Sequence, residues 1–216
     1  MPQHIAHQRQ ISHLFHFTRF ANLQGILQNG LIPRQDLIAQ QMPFLFNDLY
    51  RHDSRTNANC LSITFPNYKM FYPTRLDHPN DDWAVLRLSP SILWEKNCLF
   101  CEGNAARHDI AATAVNLLQG RAALEHLFAE KSWLPPRGHL RLLCNEPTDV
   151  QAEILVFGII EPQYIIDINI DRKGRTRDFN HIANFASQHR NFTWRHGPDY
   201  YYPRHDHRAR SEFENG

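Results

Sequence analysis

Short apolar runs recur along the chain, and most of them have the length of a β-strand. Runs of four to eight apolar residues bounded by polar or turn-forming residues are typical of strands. The predicted strands cover residues 11–17, 60–65, 83–88, 151–158 and 163–170.

Helical periodicity appears in separate segments between these strands. Leu23, Ile26 and Leu27 recur on one face of a predicted helix, and Asn29-Gly30 is a helix-ending pair. Other helices are predicted around residues 90–94, 109–119, 121–130 and 178–190. Because strands and helices do not alternate as βαβ units, we predict an α+β fold with a substantial β core.

Three segments lack convincing periodicity. Residues 34–58 are predicted to be irregular, residues 132–150 to form a loop, and residues 204–216 to be frayed. A long irregular stretch inside a compact domain, such as 34–58, is usually functional or mobile. The segment FPNYKMFYPTRL, between the strands at 60–65 and 83–88, is also predicted to be a loop.

Composition places the chain among globular proteins and excludes several classes. The 216 residues are 42% hydrophobic, and 23 Lys and Arg nearly balance 22 Asp and Glu. The total charge therefore indicates no nucleic-acid partner, although a local basic patch can coexist with a neutral total. Glycine-rich G-x-G-x-x-G and G-x-x-x-x-G-K-[ST] motifs are absent, which argues against Rossmann and P-loop folds. We predict one domain over residues 1–216.

The sequence carries no signal-peptide core and no apolar run long enough to span a membrane, so we expect a cytoplasmic protein. Four cysteines are too few and too scattered for a secreted disulfide scaffold. Cys98-x-x-Cys101 has no partner pair at zinc-finger spacing, which favours buried thiols over a zinc site. The histidine-rich tail RHDHR reads as a solvated segment rather than a metal site.

Glu153 stands at the entrance of the apolar run Ile154-Leu155-Val156-Phe157. It is either a rim residue at the wet end of a strand or a carboxylate that the strand holds in a cleft. Two further polar residues carry similar alternatives. His16 is either a strand residue whose ring is hydrogen-bonded within the fold or a functional residue. Arg51 is either a solvated loop cation or a guanidinium that binds a phosphate.

Aromatic and basic residues interleave over residues 65–75, in the segment FPNYKMFYPTR. Aromatic faces beside cations can stack a nucleobase and follow a nucleic-acid backbone. The alternative is a hydrophobic loop packed on the core, which some of the four rings are expected to serve.

Five segments, in this order, resemble the DarT-type DNA ADP-ribosyltransferases, the toxin half of a bacterial toxin–antitoxin pair. The similarity spans about residues 12–170 and is most specific in FPNYKMFY and QAEILVFG. The five segments are HLFHFTRFANLQGILQNGLIP, YRHD, SITFPNYKMFYPTR, FCEGNAA and TDVQAEILVFGIIEPQYI.

The resemblance implies an ADP-ribosyltransferase fold, with a split β-sheet core flanked by helices and NAD⁺ in the cleft. NAD⁺ would be a consumed substrate, no metal would be needed, and ADP-ribose would be attached to a base in single-stranded DNA. FPNYKMFY and FCEGNAA favour the guanine-modifying branch over the thymine-modifying one. Cleavage of the nicotinamide–ribose bond develops positive charge on the ribose, which a nearby carboxylate would stabilise.

The resemblance also implies roles for individual residues. Glu153 and Arg51 would be catalytic; because YRHDSR departs from the more usual YRLDG, Arg55 is an alternative to Arg51. NAD⁺ contacts would come from His16, Phe17, Thr18, Asn22, Arg51, Arg55 and Tyr72. DNA contacts would come from Tyr68, Lys69, Met70, Phe71 and Arg75.

Other parts of the chain keep two interpretations. Asn104 in FCEGNAA is either structural or a substrate contact. NEPTD, before the Glu153 strand, would supply a loop near the acceptor. The basic residues beyond the resemblance either contact phosphates or solvate a terminal helix; they are Arg172, Lys173, Arg175, Arg177 and Arg195.

As partners we expect single-stranded DNA and a macrodomain antitoxin of the DarG type, with the chain itself a monomer. Two alternatives stay open: an ADP-ribosyltransferase or NAD⁺ glycohydrolase with an RNA, protein or water acceptor, and a non-catalytic nucleic-acid-binding module. The second fits poorly, because Glu153 would repel phosphates at a surface used only for binding.

Overall fold

A computed structural model describes residues 1–46, 55–171, 180–184 and 192–214. Its strands are β1 (Leu14–Arg19), β2 (Ala58–Ile63), β3 (Trp83–Leu88), β4 (Cys98–Cys101), β5 (Glu153–Phe157), β6 (Ile165–Ile170) and β7 (Thr193–His196). Its α-helices are α1 (Pro2–Gln8), α2 (Leu23–Asn29), α3 (Arg34–Ala39), α4 (Tyr68–Asp77), α5 (Ile92–Glu95), α6 (His108–Ala111), α7 (Gly120–His126), α8 (180–184) and α9 (His207–Glu214). Short 3₁₀ turns cover Phe20–Asn22, Val115–Leu118 and Pro162–Tyr164.

The strands of the described residues form one sheet in the order β4-β5-β2-β1-β3-β6-β7. Neighbouring strands are antiparallel except for β6 and β7, which are parallel. The mixed sheet with flanking helices confirms the predicted α+β class.

The sheet is split between β1 and β2. β1 pairs with β3 over six residues, but with β2 only at Leu14–Ile63 and Phe15–Ser62. Beyond Phe15 the two strands separate, so a gap opens inside the sheet. This gap confirms the split core that the family resemblance implied.

One face of the sheet carries the main hydrophobic core. Alternate residues along β1, β3 and β5, such as Leu14, Leu86 and Ile154, lie in a single cluster with residues of α1, α2, α5 and α7. Because side chains alternate between the two faces of a strand, every second apolar residue of these strands packs against the layer of helices.

The opposite face carries two separate clusters, one on each half of the sheet. Phe15, Val85 and Trp83 pack with Phe71 of α4 on the β1–β3 half. On the β4–β5–β2 half, Leu155 and Leu99 pack against α6 and the Val115–Leu118 turn. The space between these two clusters coincides with the split.

Several predicted elements were wrong in type or extent. Residues 34–58 contain α3, FPNYKMFYPTRL forms α4 rather than a loop, and residues 204–216 contain α9 rather than a frayed end. The helix predicted over 109–119 is broken into α6 and a 3₁₀ turn. α4 forms although Pro73 stands inside it. Burial of Tyr68 and Phe71 against the core stabilises the helix and outweighs this local preference.

Other predictions were close. The strands predicted at 83–88 and 163–170 are β3 and β6, and α2 ends at Asn29 before Gly30, as expected. The first two predicted strands are displaced by two or three residues. Within the described residues, no helix is both long enough and apolar enough to cross a bilayer.

Gly30 ends α2 with φ +87, and an added Cβ would lie 2.4 Å from the carbonyl oxygen of Ile160. We expect Gly30→Ala to lower the free energy of unfolding by roughly 2–4 kcal/mol, from backbone strain and overpacking. Gly25 of the same helix has no atom within 4 Å of a built Cβ, so Gly25→Ala should raise stability by about 0.5–1 kcal/mol. Urea unfolding of both variants measures the contrast, and equal effects would contradict it.

Candidate functional site

A cleft runs along the split between β1 and β2. Its lining comes from the strand edges, from α2, α3 and residues 42–46, and from α4 and the turn after β4. Lining residues include Phe15, His16, Phe17, Thr18, Asn22, Ile26, Arg34, Asn59, Cys60, Ser62, Asn67, Met70, Asn104, Ala106 and Glu153. Of the residues predicted to be functional, the structure brings seven to this cleft: His16, Phe17, Thr18, Asn22, Met70, Asn104 and Glu153.

Strand alternation puts Glu153 on the cleft face. Ile154 and Val156 point into the main core, whereas Glu153 and Leu155 belong to the opposite face of β5. Glu153 is only 8% exposed and pairs in register with Cys101 of β4. A charge at the start of an apolar strand is therefore a cleft residue rather than a solvent-facing rim residue.

A backbone amide holds the Glu153 carboxylate in place. The N–H of Ala105 donates to Glu153 Oε2 at 2.9 Å, and Ala105 is 1% exposed. Because a hydrogen bond to a carboxylate oxygen fixes its direction, this contact orients the Glu153 carboxylate in the cleft.

The turn that supplies this amide is built by Asn104. Its side-chain Oδ1 accepts from Ala106 N at 2.8 Å, and its carbonyl accepts from Arg107 N at 3.0 Å. Asn104 therefore has the structural role that the sequence left open, and it also lines the cleft. The Ala105 amide was missed, because a backbone donor leaves no mark on residue type.

His16 bridges the split. Its Nδ1 lies 2.9 Å from the carbonyl oxygen of Cys60 on β2, at a position where the two strands no longer pair. If Nδ1 carries the proton it donates to that carbonyl, which leaves Nε2 as an acceptor. The histidine thus joins both walls of the cleft.

Asn22 anchors the segment over residues 42–46 to β1. Its Nδ2 donates to Thr18 Oγ1 at 3.0 Å and to the Leu45 carbonyl at 2.6 Å, and its Oδ1 accepts from Leu45 N at 2.8 Å. Three hydrogen bonds make Asn22 a clamp as well as a lining residue, which sequence reasoning did not foresee.

Residues 42–46 and Arg34 are the main lining features that sequence reasoning missed. Arg19 Nη1 donates to the Phe46 carbonyl at 3.1 Å, and the Arg34 guanidinium lies 4.4 Å from the centroid of the Phe46 ring. The apolar run MPFLF inside an otherwise polar region was the available signal. Within the described part of the chain, Arg34 is the one arginine or lysine that lines the cleft.

The predicted DNA-contacting role of Tyr68 and Phe71 was wrong. Both belong to α4 and are 3% and 1% exposed. Phe71 stacks on Phe17 with ring centroids 4.5 Å apart, and Tyr68 packs edge-on against His207. Burial raises the pKa of Tyr68 to about 12. The helical period of α4 directs both rings into the core. Packing on the core is the alternative to DNA contact that the sequence left open.

The other members of this segment have mixed positions. Met70 lines the cleft, Lys69 is ion-paired with Glu214, and Tyr72 is exposed and lies outside the cleft lining. Arg75 donates to the Tyr201 carbonyl, and its guanidinium lies 4.9 Å from the centroid of the Tyr201 ring. Arg75 therefore supports the fold, and Tyr72 is not placed to contact a ligand in the cleft.

The arginine predictions are only partly covered by the structure. Arg51 and the YRHD segment lie outside the described residues, as do Arg172, Lys173, Arg175 and Arg177. Arg55 is half-buried in the turn before β2, and Arg195 donates to Asp167 at 2.8 Å. Across residues 1–46, 55–171, 180–184 and 192–214, no group of three or more His, Cys, Asp or Glu could hold a metal ion.

Comparison with known proteins identifies a family. Residues 15–202 match the family model described as "ssDNA thymidine ADP-ribosyltransferase, DarT". A search of curated proteins found no match.

Solved structures share the fold. Thermus sp. 2.9 DarT in complex with ADP-ribosylated ssDNA has a TM-score of 0.58 at 14% identity, over 89% of this chain and 97% of that one. The same protein in complex with NAD⁺ has a TM-score of 0.56 at 15% identity, over 89% and 98%. Thermosipho africanus DarTG in complex with ADP-ribose has a TM-score of 0.59 at 17% identity, over 88% of this chain but 51% of that one. This chain therefore spans about half the length of the Thermosipho africanus chain.

Truncation of the neighbours Phe71 and Tyr72 should have very unequal effects on stability. We expect Phe71→Ala to cost about 3–5 kcal/mol of stability, because it empties a buried site between β1, β3 and α4. Tyr72→Ala, at a 45% exposed position, should change stability by less than about 0.5 kcal/mol. Urea unfolding measures both, and a small effect at Phe71 would show that α4 does not pack as described.

Proposed function

The chain belongs to the DarT family of ssDNA ADP-ribosyltransferases, and we propose that it transfers ADP-ribose from NAD⁺ to a base in single-stranded DNA, with Glu153 as the catalytic carboxylate. The observation that carries this proposal is the buried, amide-anchored Glu153 in the cleft that splits the sheet. Fold and family support the reaction class, and the cleft supplies a residue suited to it.

The reaction breaks the bond between nicotinamide and ribose C1′ and forms a bond between C1′ and a base nitrogen. Nicotinamide leaves with the bonding electrons, and the base nitrogen loses a proton after attack. Positive charge develops on the ribose in between, so a carboxylate fixed beside it stabilises the transition state more than the ground state. Glu153 can also orient the attacking base or accept its proton.

The cleft residues suggest how NAD⁺ is held. We assign the nicotinamide and its ribose to the wall formed by His16, Phe17 and Thr18, next to the split. The pyrophosphate carries two negative charges, and Arg34 supplies a guanidinium inside the cleft that suits them. Arg51 and Arg55 remain proposed partners of the phosphates and the base. Asn22 contributes by holding residues 42–46 against the cleft.

The acceptor strand would approach along α4 and the turn after β4. Met70 and Asn104 line this side of the cleft, and Lys69 lies next to Met70. We propose guanine as the favoured base, because FPNYKMFY and FCEGNAA resemble the guanine-modifying branch. The description of the matching family model names thymidine instead, so base identity is a direct test of this finer assignment.

We further propose that the chain is the toxin of a bacterial toxin–antitoxin pair. The Thermosipho africanus neighbour is a DarTG, which supports a DarG-type macrodomain partner. Such a partner would remove ADP-ribose from DNA, and both proteins would act in the cytoplasm. We also propose that the toxin chain acts as a monomer.

Glu153→Gln should reduce transfer to DNA by at least about 10²-fold, because it removes the charge that stabilises the ribose cation. The amide side chain has the same shape, so unfolding by urea should change little. The protein is incubated with NAD⁺ and single-stranded oligonucleotides that contain one guanine, one thymine or neither. Mass spectrometry then measures whether the mass of each oligonucleotide has increased by one ADP-ribose.

The result separates the levels of the proposal. One added ADP-ribose on the guanine oligonucleotide supports the finer assignment, and modification only of the thymine oligonucleotide overturns it. RNA and duplex DNA of the same sequence test the alternative acceptors. Absence of product on every oligonucleotide would refute the proposed reaction. Full activity of Glu153→Gln would refute the role of Glu153.

A further inference from the structure

The C-terminal segment over residues 204–214 carries charges that are buried rather than solvated. Arg204, Asp206 and Arg210 are 3%, 1% and 1% exposed. Arg204 donates to both oxygens of Asp206 at 2.7 and 2.8 Å, and Arg210 Nε also donates to Asp206. A buried ionic cluster costs solvation energy, so its place in a segment outside the described functional site calls for an explanation.

Arg210 reaches from this cluster to the loop that precedes the catalytic strand. Its Nη2 donates to the carbonyl of Thr148, five residues before Glu153. Thr148 is fully buried, its N–H donates to the Leu127 carbonyl at 2.9 Å, and its Oγ1 accepts from Arg137 Nη1 at 2.8 Å. Thr148 is therefore the point where the C-terminal helix, the residue that follows α7 and the 137–150 loop meet.

A tight turn connects Thr148 directly to Glu153. Asp149 Oδ1 accepts from Gln151 N at 2.9 Å, and the Asp149 carbonyl accepts from Ala152 N at 3.1 Å. A built Cβ on Gly103 would lie 3.2 Å from Asp149 Oδ2, so the turn also lies close to the segment that carries Ala105. Residues 149–152 therefore form a turn between Thr148 and β5, and this turn lies beside the segment that carries the amide partner of Glu153.

The same C-terminal segment also contacts α4, which lines the proposed acceptor side of the cleft. His207 packs edge-on against Tyr68, and Glu214 is ion-paired with Lys69, both on α4. A single segment therefore ties α4 to the loop before β5. Met70 of α4 lines the proposed acceptor side of the cleft, and the loop leads into β5, so we call α4 and this loop together the acceptor wall.

We propose that residues 204–214 are a positioning element of the active site, in which Arg210 sets the acceptor wall through Thr148. This inference rests on the proposed function. Arg210 does not contact substrate; it acts through the 137–150 loop. β5 itself is held by β2 and β4, so loss of Arg210 leaves Glu153 on its strand but loosens the wall that aligns the attacking base.

The chemical consequence is a change in the fate of NAD⁺. Water needs no alignment by the acceptor wall, whereas a DNA base must be held in line with ribose C1′. Loosening the wall should therefore impair transfer to DNA far more than hydrolysis of NAD⁺ to ADP-ribose and nicotinamide, in which water replaces the base as nucleophile.

The cluster stays charged under ordinary assay conditions. Burial by itself raises the pKa of Asp206, but hydrogen bonds and charges from Arg204 and Arg210 outweigh it and lower the pKa to about 2. A carboxyl whose pKa is lowered by folding stabilises the fold above its unfolded pKa, and loses that contribution as pH falls toward about 2. The anchoring of Thr148 should thus be constant across neutral pH.

The test compares Arg210→Met and Arg210→Lys with Arg208→Ala, a control on the same helix whose side chain is 92% exposed. Arg210→Lys keeps the charge but replaces the guanidinium, whose Nε and Nη2 reach Asp206 and Thr148 separately, by a single nitrogen. For each protein, nicotinamide release without DNA and oligonucleotide modification with DNA are measured, with KM for NAD⁺ and for the oligonucleotide. Urea unfolding and circular dichroism establish that the variant is folded.

We expect transfer to the oligonucleotide to fall at least about tenfold in the Arg210 variants. Nicotinamide release without DNA and KM for NAD⁺ should stay within about twofold, and Arg208→Ala should match the parent. If Arg210→Met does not fold, Arg210→Lys decides. Unchanged transfer in a folded variant, or equal loss of both reactions, overturns the inference. Absence of transfer in the parent would instead refute the proposed function.

Discussion

The two-residue pairing of β1 with β2 is the constraint on which the site depends. If the antiparallel register continued beyond Phe15–Ser62, Thr18 would lie opposite Asn59 and the sheet would close. Instead, the Asn59 side chain donates to the carbonyls of Leu31 and Gly158, and His16 makes the link to Cys60. Each half of the sheet then needs its own cover on the second face, which α4 and α6 supply, and the gap between the covers is the cleft.

Much of this arrangement was predictable from the sequence where local pattern and tertiary environment agree. Apolar runs located β3, β5 and β6, and the Asn29-Gly30 pair located the end of α2. Glu153 could be identified as a catalytic candidate because family motifs surround it. The two-residue period of a strand then explains why it faces the cleft while Ile154 faces the core.

The remaining features depend on tertiary contacts that no local pattern reveals. Tyr68 and Phe71 looked like an exposed reading surface because aromatic and basic residues alternate there, yet the helical period of α4 buries both rings. Arg204 and Arg210 looked solvated, since arginine is seldom fully buried unless it is paired. Their shared partner Asp206 lies in the same tail, but Thr148, to which Arg210 alone donates, is 62 residues away in the chain.

Main-chain atoms make two of the contacts that define the cleft: the Cys60 carbonyl faces His16, and the Ala105 amide faces Glu153. The side chains at positions 60 and 105 supply neither contact. Substitutions that fit the space and preserve strand register and turn shape therefore keep both contacts. Evolution can thus change residue identity along the cleft while keeping its geometry, which accords with a common fold at 14–17% identity.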